Sequence, residues 1–438
     1  MQLQAALVLI ILFFFLLAMS VPVSFSIITS ALITIIMFLT PQFGMFISAQ
    51  KLVSGIDSFT LLAVPFFILA GQLMSSGGIA RRLINLAMLF LGKVPGSLAL
   101  TNIAGNAMFG SLSGSGIAAA TAIGGVMNPL EKEQGYDEGF SAATNIATAP
   151  VGQLIPPTNA FIVYSAASGG ASVATLFMAG WIPGLLWAFL CMLVAFLYAR
   201  KQGYVVKREK LTGAEAAKVI WDAIPSLLLI VIIIGGILSG YFTPTEASGV
   251  AVIYAFILSA FVYKSIQLKD LKSILVDAAV MTTIVMLIIG ASSVLSFVLS
   301  FTGLPQAISS LMLGVSDNKI VILLLINVIL LIVGTFMDMA PALLIFTPIF
   351  LPIATSVGMS PVHFGLMLIM NLGIGSVTPP VGSCLFVGCG VGHVKIEGVT
   401  RYIVPIFSAM VVALLLVSFI PAIPLLVPYL CGLVPSMW

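Results

Sequence analysis

Apolar residues run along this chain in stretches long enough to cross a bilayer, which takes about 20 helical residues. They predict spans near 4–20, 23–40, 56–76, 137–168, 174–199, 221–240, 245–263, 273–302, 361–392 and 403–430. Two further apolar stretches, 83–132 and 306–356, are each long enough for two passes but are broken at the centre by small or polar residues. The first run begins at Leu3 with no basic segment and no small-residue cleavage site, the pattern of a retained span rather than a signal peptide. The fold class predicted is an all-α membrane protein.

Composition removes most alternatives. Hydrophobic residues are 61% of the 438 and charged residues 7%, whereas a soluble domain carries roughly a quarter charged residues. The net charge of +3 is too small for a nucleic-acid partner. The four cysteines (Cys191, Cys384, Cys389, Cys431) form no CxxC pair, and His363 and His393 have no HExxH spacing, so no transition metal is expected. Neither a Ser/His/Asp arrangement nor a Gly-Lys phosphate loop occurs, so neither an enzyme nor an organic cofactor is expected. Glu246 and Asp277 read as caps or interfacial contacts near span ends. Trp181, Trp187, Trp221 and Trp438 read as interfacial belts, and His363, after Pro361, as a solvated group at a span entrance.

Positive charge sets the orientation. The loop 200–218 holds Arg200, Lys201, Lys207, Arg208, Lys210 and Lys218 out of 17 basic residues, which places it in the cytoplasm. Two spans later Lys264, Lys269 and Lys272 return to that side. Counted from there, 83–132 opens to the cytoplasm and 306–356 to the outside, so both read as re-entrant hairpins, with both termini outside. Landmarks also recur in order: Gly78 and Gly303 at an offset of 225, Gly110 and Gly334 at 224, Pro156-Pro157 and Pro379-Pro380 at 223. Two copies entering from opposite faces make an inverted repeat, a mark of secondary transporters.

Candidate chemistry gathers at four places. Gly110-Ser-Leu-Ser-Gly-Ser-Gly116, at the centre of the first hairpin, offers carbonyls and hydroxyls suited to a hard cation such as sodium; its GxxxG also suits a helix contact. In 145–158, Pro150, Pro156 and Pro157 break the span. The second half-helix then begins near Thr158, its positive end inside the membrane, a place for a carboxylate. At the second hairpin tip, Asp338 is an ionisable residue in an apolar setting, and it equally suits an N-cap ahead of Pro341. Around Asn371 and Thr378 a second broken span mirrors the first.

Gly-Ser-Leu-Ser-Gly-Ser-Gly (110–116), Met-Asn-Pro-Leu (127–130) and Pro-Val-Gly-Gln-Leu-Ile-Pro-Pro-Thr (150–158) resemble the large membrane (M) subunit of tripartite ATP-independent periplasmic (TRAP) transporters. Gly-Thr-Phe-Met-Asp-Met-Ala-Pro (334–341) and Thr-Pro-Pro-Val-Gly (378–382) fit the same family, and the resemblance covers nearly the whole chain. It implies a multi-pass protein of the bacterial inner membrane and an elevator-type secondary transporter, with two re-entrant hairpins and two broken helices carried on a scaffold. The implied division is scaffold 1–76, first transport half 77–172, scaffold and cytoplasmic loop 173–272, arm helix 273–302, second transport half 303–398 and a C-terminal helix 399–438.

The resemblance also implies one sodium site at Ser113, Gly114 and Ser115 with Gly152 and Pro156, and a second at Gly334 and Met337 with Thr378. Asn145, Gln153, Thr158, Asp338 and Asn371 are the implied substrate-binding or gating residues. The implied partners are a small four-helix membrane (Q) subunit on a separate chain, a soluble periplasmic binding protein and membrane lipid. Sodium is the coupling ion, and the substrate is an organic acid of the sialic acid or C4-dicarboxylate type. Two other readings stay open: a stand-alone sodium/dicarboxylate symporter and an anion channel with re-entrant loops.

Overall fold

The computed structural model describes residues 2–92, 94–204, 212–316, 318–379 and 381–436. Lys207, Arg208, Lys210, Pro380 and Trp438, which figured in the sequence reading, lie outside the described residues. All regular structure among those described is helical. Helices α1 (Gln2–Ala18), α2 (Val23–Phe38) and α3 (Pro41–Ile56) come first. A sixfold series follows: α4 (Ala63–Ser76), α5 (Ile79–Leu91), the hairpin α6 (Ser97–Ser113) and α7 (Gly116–Glu133), then α8 (Glu138–Thr148) and α9 (Asn159–Ala167). Next come α10 (Val173–Gln202), α11 (Gly213–Leu238) and α12 (Pro244–Ile257). The series then recurs as α13 (Leu268–Thr302), α14 (Leu304–Val315), the hairpin α15 (Lys319–Phe336) and α16 (Met339–Ser356), α17 (Pro361–Gly375) and α18 (Ser383–Gly392). Helices α19 (Ile396–Phe419) and α20 (Ala422–Leu430) close the described chain.

Among the described residues, eight helical segments are long and apolar enough to cross a membrane. Their outward faces carry large apolar side chains, among them Phe189, Val231 and Ile332, which suit lipid rather than water. The centre belongs to the broken helices: α8 is buried from Phe140 to Thr148 and α17 from His363 to Gly375. Helix α13 runs across α2, α3 and α4 on one side, and α10 packs on α19, α20 and α6 on the other.

The joints between the first two members of each series are alike. Gly78 between α4 and α5, and Gly303 between α13 and α14, are both left-handed, with φ of 69° and 63°. Helix α5 is amphipathic: Ile79, Leu83, Ile84 and Leu86 are buried, while the Arg82 guanidinium lies 3.5 Å from the Tyr263 ring centre. An alanine forced into the left-handed region costs about 1–2 kcal/mol. Gly78→Ala and Gly303→Ala should therefore each lower the melting temperature of the purified protein modestly. Unchanged melting in both would mean that the joints are not constrained.

Several expectations change in detail. Helix α3 lies between the predicted spans: it opens with Pro41 in its first turn and ends before Asp57, and Gln42, Ser48, Gln50 and Lys51 interrupt its apolar run. The stretches assigned to hairpins from 83 and 306 begin with α5 and α14; the hairpins themselves start at Ser97 and Lys319. The stretch 403–430 holds two helices, divided at Pro421, where a helix interior would lose a backbone donor. Trp187 is not interfacial but 1% exposed in the core, whereas Trp221 is 75% exposed. His363 is not solvated: it is 3% exposed, and its Nε2 lies 2.6 Å from Val417 O. Glu246 is a cap, accepting from Thr243 N at 2.8 Å while its own N–H donates to Thr243 Oγ1 at 3.3 Å.

Candidate functional site

The two hairpin tips meet at one cavity. Helix α6 stops where Gly114 turns left-handed, at φ 65°, and α7 restarts at once, with Ala118 N donating to Ser115 Oγ at 3.2 Å. Ser113 Oγ donates across this tip to Ser115 O at 3.4 Å. In the second hairpin α15 ends at the extended Met337, and α16 starts behind Asp338. Asp338 occupies the N-cap position but makes no side-chain cap hydrogen bond. Its carboxylate accepts from Ser383 Oγ at 3.4 Å.

Each broken helix is interrupted beside a tip. Helix α8 passes into a 3₁₀ turn, Ala149–Gln153, and α9 then begins with Ala160 N donating to Thr158 Oγ1 at 3.3 Å. Between α17 and α18, Gly382 N donates to Thr335 O of the second hairpin and Cys384 N donates across the break to Ser376 O, both at 3.0 Å. The first arm of each hairpin crosses its broken helix at a pair of glycines. A Cβ on Gly152 would lie 2.4 Å from Gly110 Cα, and one on Gly375 would lie 2.5 Å from Gly334 Cα.

The cavity has a volume of about 420 Å³, within the usual range for a small-molecule site of roughly 300–1,000 Å³. Ser113, Gly114, Ser115, Gln153 and Asp338 line it, as do Val64, Ile68 and Gln72 of α4 and Met281 and Val285 of α13. Asp338 is the one charged side chain among the described lining residues. Four helices begin at the cavity wall, α7 at Gly116, α9 at Asn159, α16 at Met339 and α18 at Ser383. Each turns its positive dipole end toward the enclosed space. The first tip also touches α4, since a Cβ on Gly71 would lie 3.1 Å from Ser113 O.

The structure brings only some of the sequence candidates together. Thr158, Met337 and Thr378 are next to the cavity in sequence or space without lining it, and Pro156 is buried behind. Gly152 and Gly334 are taken up by the glycine crossings. Asn145 and Asn371 are 0% exposed, deeper than the cavity. Sequence reasoning missed Asn159, Ser383 and Cys384, which line the wall together with Gly116 and Ser376 of the motifs it singled out. A signal was there for two of them: Asn159 and Ser383 stand at an offset of 224, in register with the glycine landmarks.

The profile described as "Tripartite ATP-independent periplasmic transporter, DctM component" matches residues 10–423. Salmonella typhimurium YgiK is 50% identical over 418 residues, which is 95% of this chain and 96% of YgiK. The isethionate TRAP transporter permease protein DctMQ of Oleidesulfovibrio alaskensis is 41% identical over 377 residues; the match takes in 86% of this chain and 59% of DctMQ. The sialic acid TRAP transporter large permease protein SiaM of Vibrio cholerae is 39% identical over 409 residues, 93% of this chain and 95% of SiaM. Among solved structures, the Alcanivorax borkumensis YdaH transporter superposes with a TM-score of 0.61 at 12% identity, covering 90% of each chain, a likeness of fold alone. Relatives of this kind are permeases rather than enzymes. A profile match over nearly the full length, together with the helical spans, makes this a multi-pass inner-membrane protein that belongs to the DctM component family of tripartite ATP-independent periplasmic transporters.

Proposed function

We propose that this chain imports a small organic acid, of the sialic acid or C4-dicarboxylate type, driven by a sodium gradient and delivered by a periplasmic binding protein. The observation that carries this reading is the charge inventory of the cavity. Four helix N-termini favour an anion there, yet the one charged lining side chain, Asp338, is itself acidic, and no Lys or Arg lines the wall among the described residues. An organic anion beside Asp338 needs positive charge from elsewhere, because uncompensated like charges in a low-dielectric site are costly. Sodium ions held by carbonyls and hydroxyls at the tips would supply it. Ser113, Gly114 and Ser115 form the first proposed site, and Met337 and Thr378, beside the second tip, contribute to the other.

The scaffold wall supports an elevator movement. Val64, Ile68, Met281 and Val285 present an apolar surface to the cavity, along which the two tips could travel without breaking a ladder of hydrogen bonds. The small four-helix subunit is proposed as a separate chain.

Uptake of radiolabelled sialic acid into proteoliposomes holding this chain and its small partner tests the reading, with and without an inward sodium gradient and the binding protein. Uptake is expected only with both. Sodium sufficing alone would favour the stand-alone symporter, and flux far above carrier rates without sodium coupling would favour the channel. Uptake of succinate in place of sialic acid would reassign the substrate and leave the mechanism standing.

A further inference from the structure

Both halves hold a buried carboxamide just behind the glycine crossing. Asn106 of α6, four residues before Gly110, is 0% exposed. Its Nδ2 is ringed by four oxygens: Asn102 Oδ1 at 3.0 Å, Asn145 Oδ1 and Thr148 Oγ1 at 3.1 Å, and Asn145 O at 3.3 Å. Asn145 Nδ2 donates onward to Ala120 O of α7 at 2.8 Å. Asn102 Nδ2 donates to Glu131 Oε1 at 3.4 Å, and Ser141 Oγ donates to Glu131 Oε2. One hydrogen-bonded chain therefore ties together α6, α7 and α8.

The second half repeats the device with other residues. Asn371 of α17, four residues before Gly375, is 0% exposed. Its Nδ2 donates to Asn327 Oδ1 of α15 at 2.6 Å and to Met367 O at 2.9 Å. Asn327 Nδ2 donates to Ser418 Oγ of α19 at 3.2 Å. The Oδ1 atoms of both Asn106 and Asn371 lack a partner among the described residues. A buried carbonyl left unpaired costs stability, so packing alone does not account for an amide at both places.

We propose that Asn106 and Asn371 are positioning residues, each pinning the first arm of its hairpin to the broken helix one turn from the glycine crossing. The tip beyond each crossing, with the carbonyls and helix N-termini that face the cavity, is thereby held in register. Only the transport readout below rests on the functional reading; the exchange readout does not.

The test uses Asn106→Leu and Asn371→Leu in the full chain, reconstituted with its small partner. Leucine keeps most of the volume and removes the Nδ2 donor that each amide presents to the facing helix, a loss worth about tenfold in the local opening equilibrium. Amide hydrogen exchange over 110–118 should rise about tenfold in N106L with 334–340 unchanged, and the reverse should hold in N371L. Half-saturating substrate and sodium concentrations should rise by a similar factor, with maximal rate changed less. Exchange raised equally at both tips, or at neither, overturns the proposal, as does a fall in maximal rate with unchanged half-saturation. Should N106L not fold, Thr148→Val removes one hydroxyl at constant shape and should loosen the first tip alone; an unloosened tip there counts against the proposal. Sodium-independent uptake by the unaltered protein would defeat the sodium reading, while the exchange pattern would still decide the positioning role.

Discussion

Gly152→Ala and Gly375→Ala are expected to abolish uptake and to lower the melting temperature of the purified protein. The added Cβ on Gly152 would sit 2.4 Å from Gly110 C and Cα and 2.5 Å from Ser111 N, and that on Gly375 would sit 2.5 Å from Gly334 C and Cα. Those neighbours are backbone, so no rotamer change relieves the clash. Overpacking costs about 1–3 kcal/mol even where side chains can shift, and backbone meeting backbone belongs at the top of that range. The crossings carry the tips, so displacement of α6 or α15 reaches the cavity directly. An order of severity follows from the distances. Gly110→Ala and Gly334→Ala, whose Cβ atoms would meet the facing glycine at 2.9 and 3.0 Å, should be milder. Gly125→Ala in α7, with nothing within 4 Å of the added Cβ, should stabilise by about 0.5–1 kcal/mol, the gain of alanine over glycine in a helix. Thermal melting in detergent and uptake in proteoliposomes check the series. Melting of G152A equal to that of the unaltered protein would show that the helices can part there at little cost.

Much of this architecture was legible because a bilayer demands long apolar runs, and such runs are hard to disguise in sequence. The two tips were legible for the opposite reason: Gly114 and Asp338 interrupt apolar stretches where a lipid-facing helix would tolerate neither. Helices α5 and α14 were hidden because the short polar sequences that follow them, Gly92-Lys-Val-Pro-Gly96 and Ser316-Asp-Asn318, fall inside long apolar stretches that read as continuous. The landmark repeat located Gly110 and Gly334, but what each one touches lies about 40 residues along the chain, and a hydropathy pattern carries no information at that range. The same limit hid the amide network. Asn102 and Asn106 stand four apart on one helix and Asn327 lies in an apolar run, and nothing in either helix says what they face. Only folding brings Asn106 to Asn145 and Asn327 to Asn371. Trp187 and His363 failed on residue-type averages: each has a polar handle that suits an interface, yet the fold had room for both inside.

Asp338→Asn separates the two roles that the sequence left open for this residue, and it is expected to lose most uptake. Were Asp338 only an N-cap, asparagine would serve α16 about as well as aspartate. The structure already weakens that role, because the carboxylate makes no side-chain cap hydrogen bond and instead opens on the cavity beside Ser383. Its negative charge is then what matters, in a space whose other electrostatic features, four helix N-termini, are all positive. A charged group in a hydrogen-bonded site is worth about 1.5–3 kcal/mol, so both Asp338→Asn and Asp338→Ala should cut sodium-driven uptake by roughly 10- to 100-fold. Melting should change little in either, since the hydrogen bond at stake, from Ser383 Oγ at 3.4 Å, is long. Raising external sodium should recover part of the rate in Asp338→Asn if the carboxylate helps to hold the ion. The comparison between the two variants decides the matter. Full uptake by D338N with loss in D338A would return Asp338 to a capping role, and full uptake by both would remove it from the site. Equal loss in both, recovered in D338N by sodium, would tie the ion to the second hairpin tip.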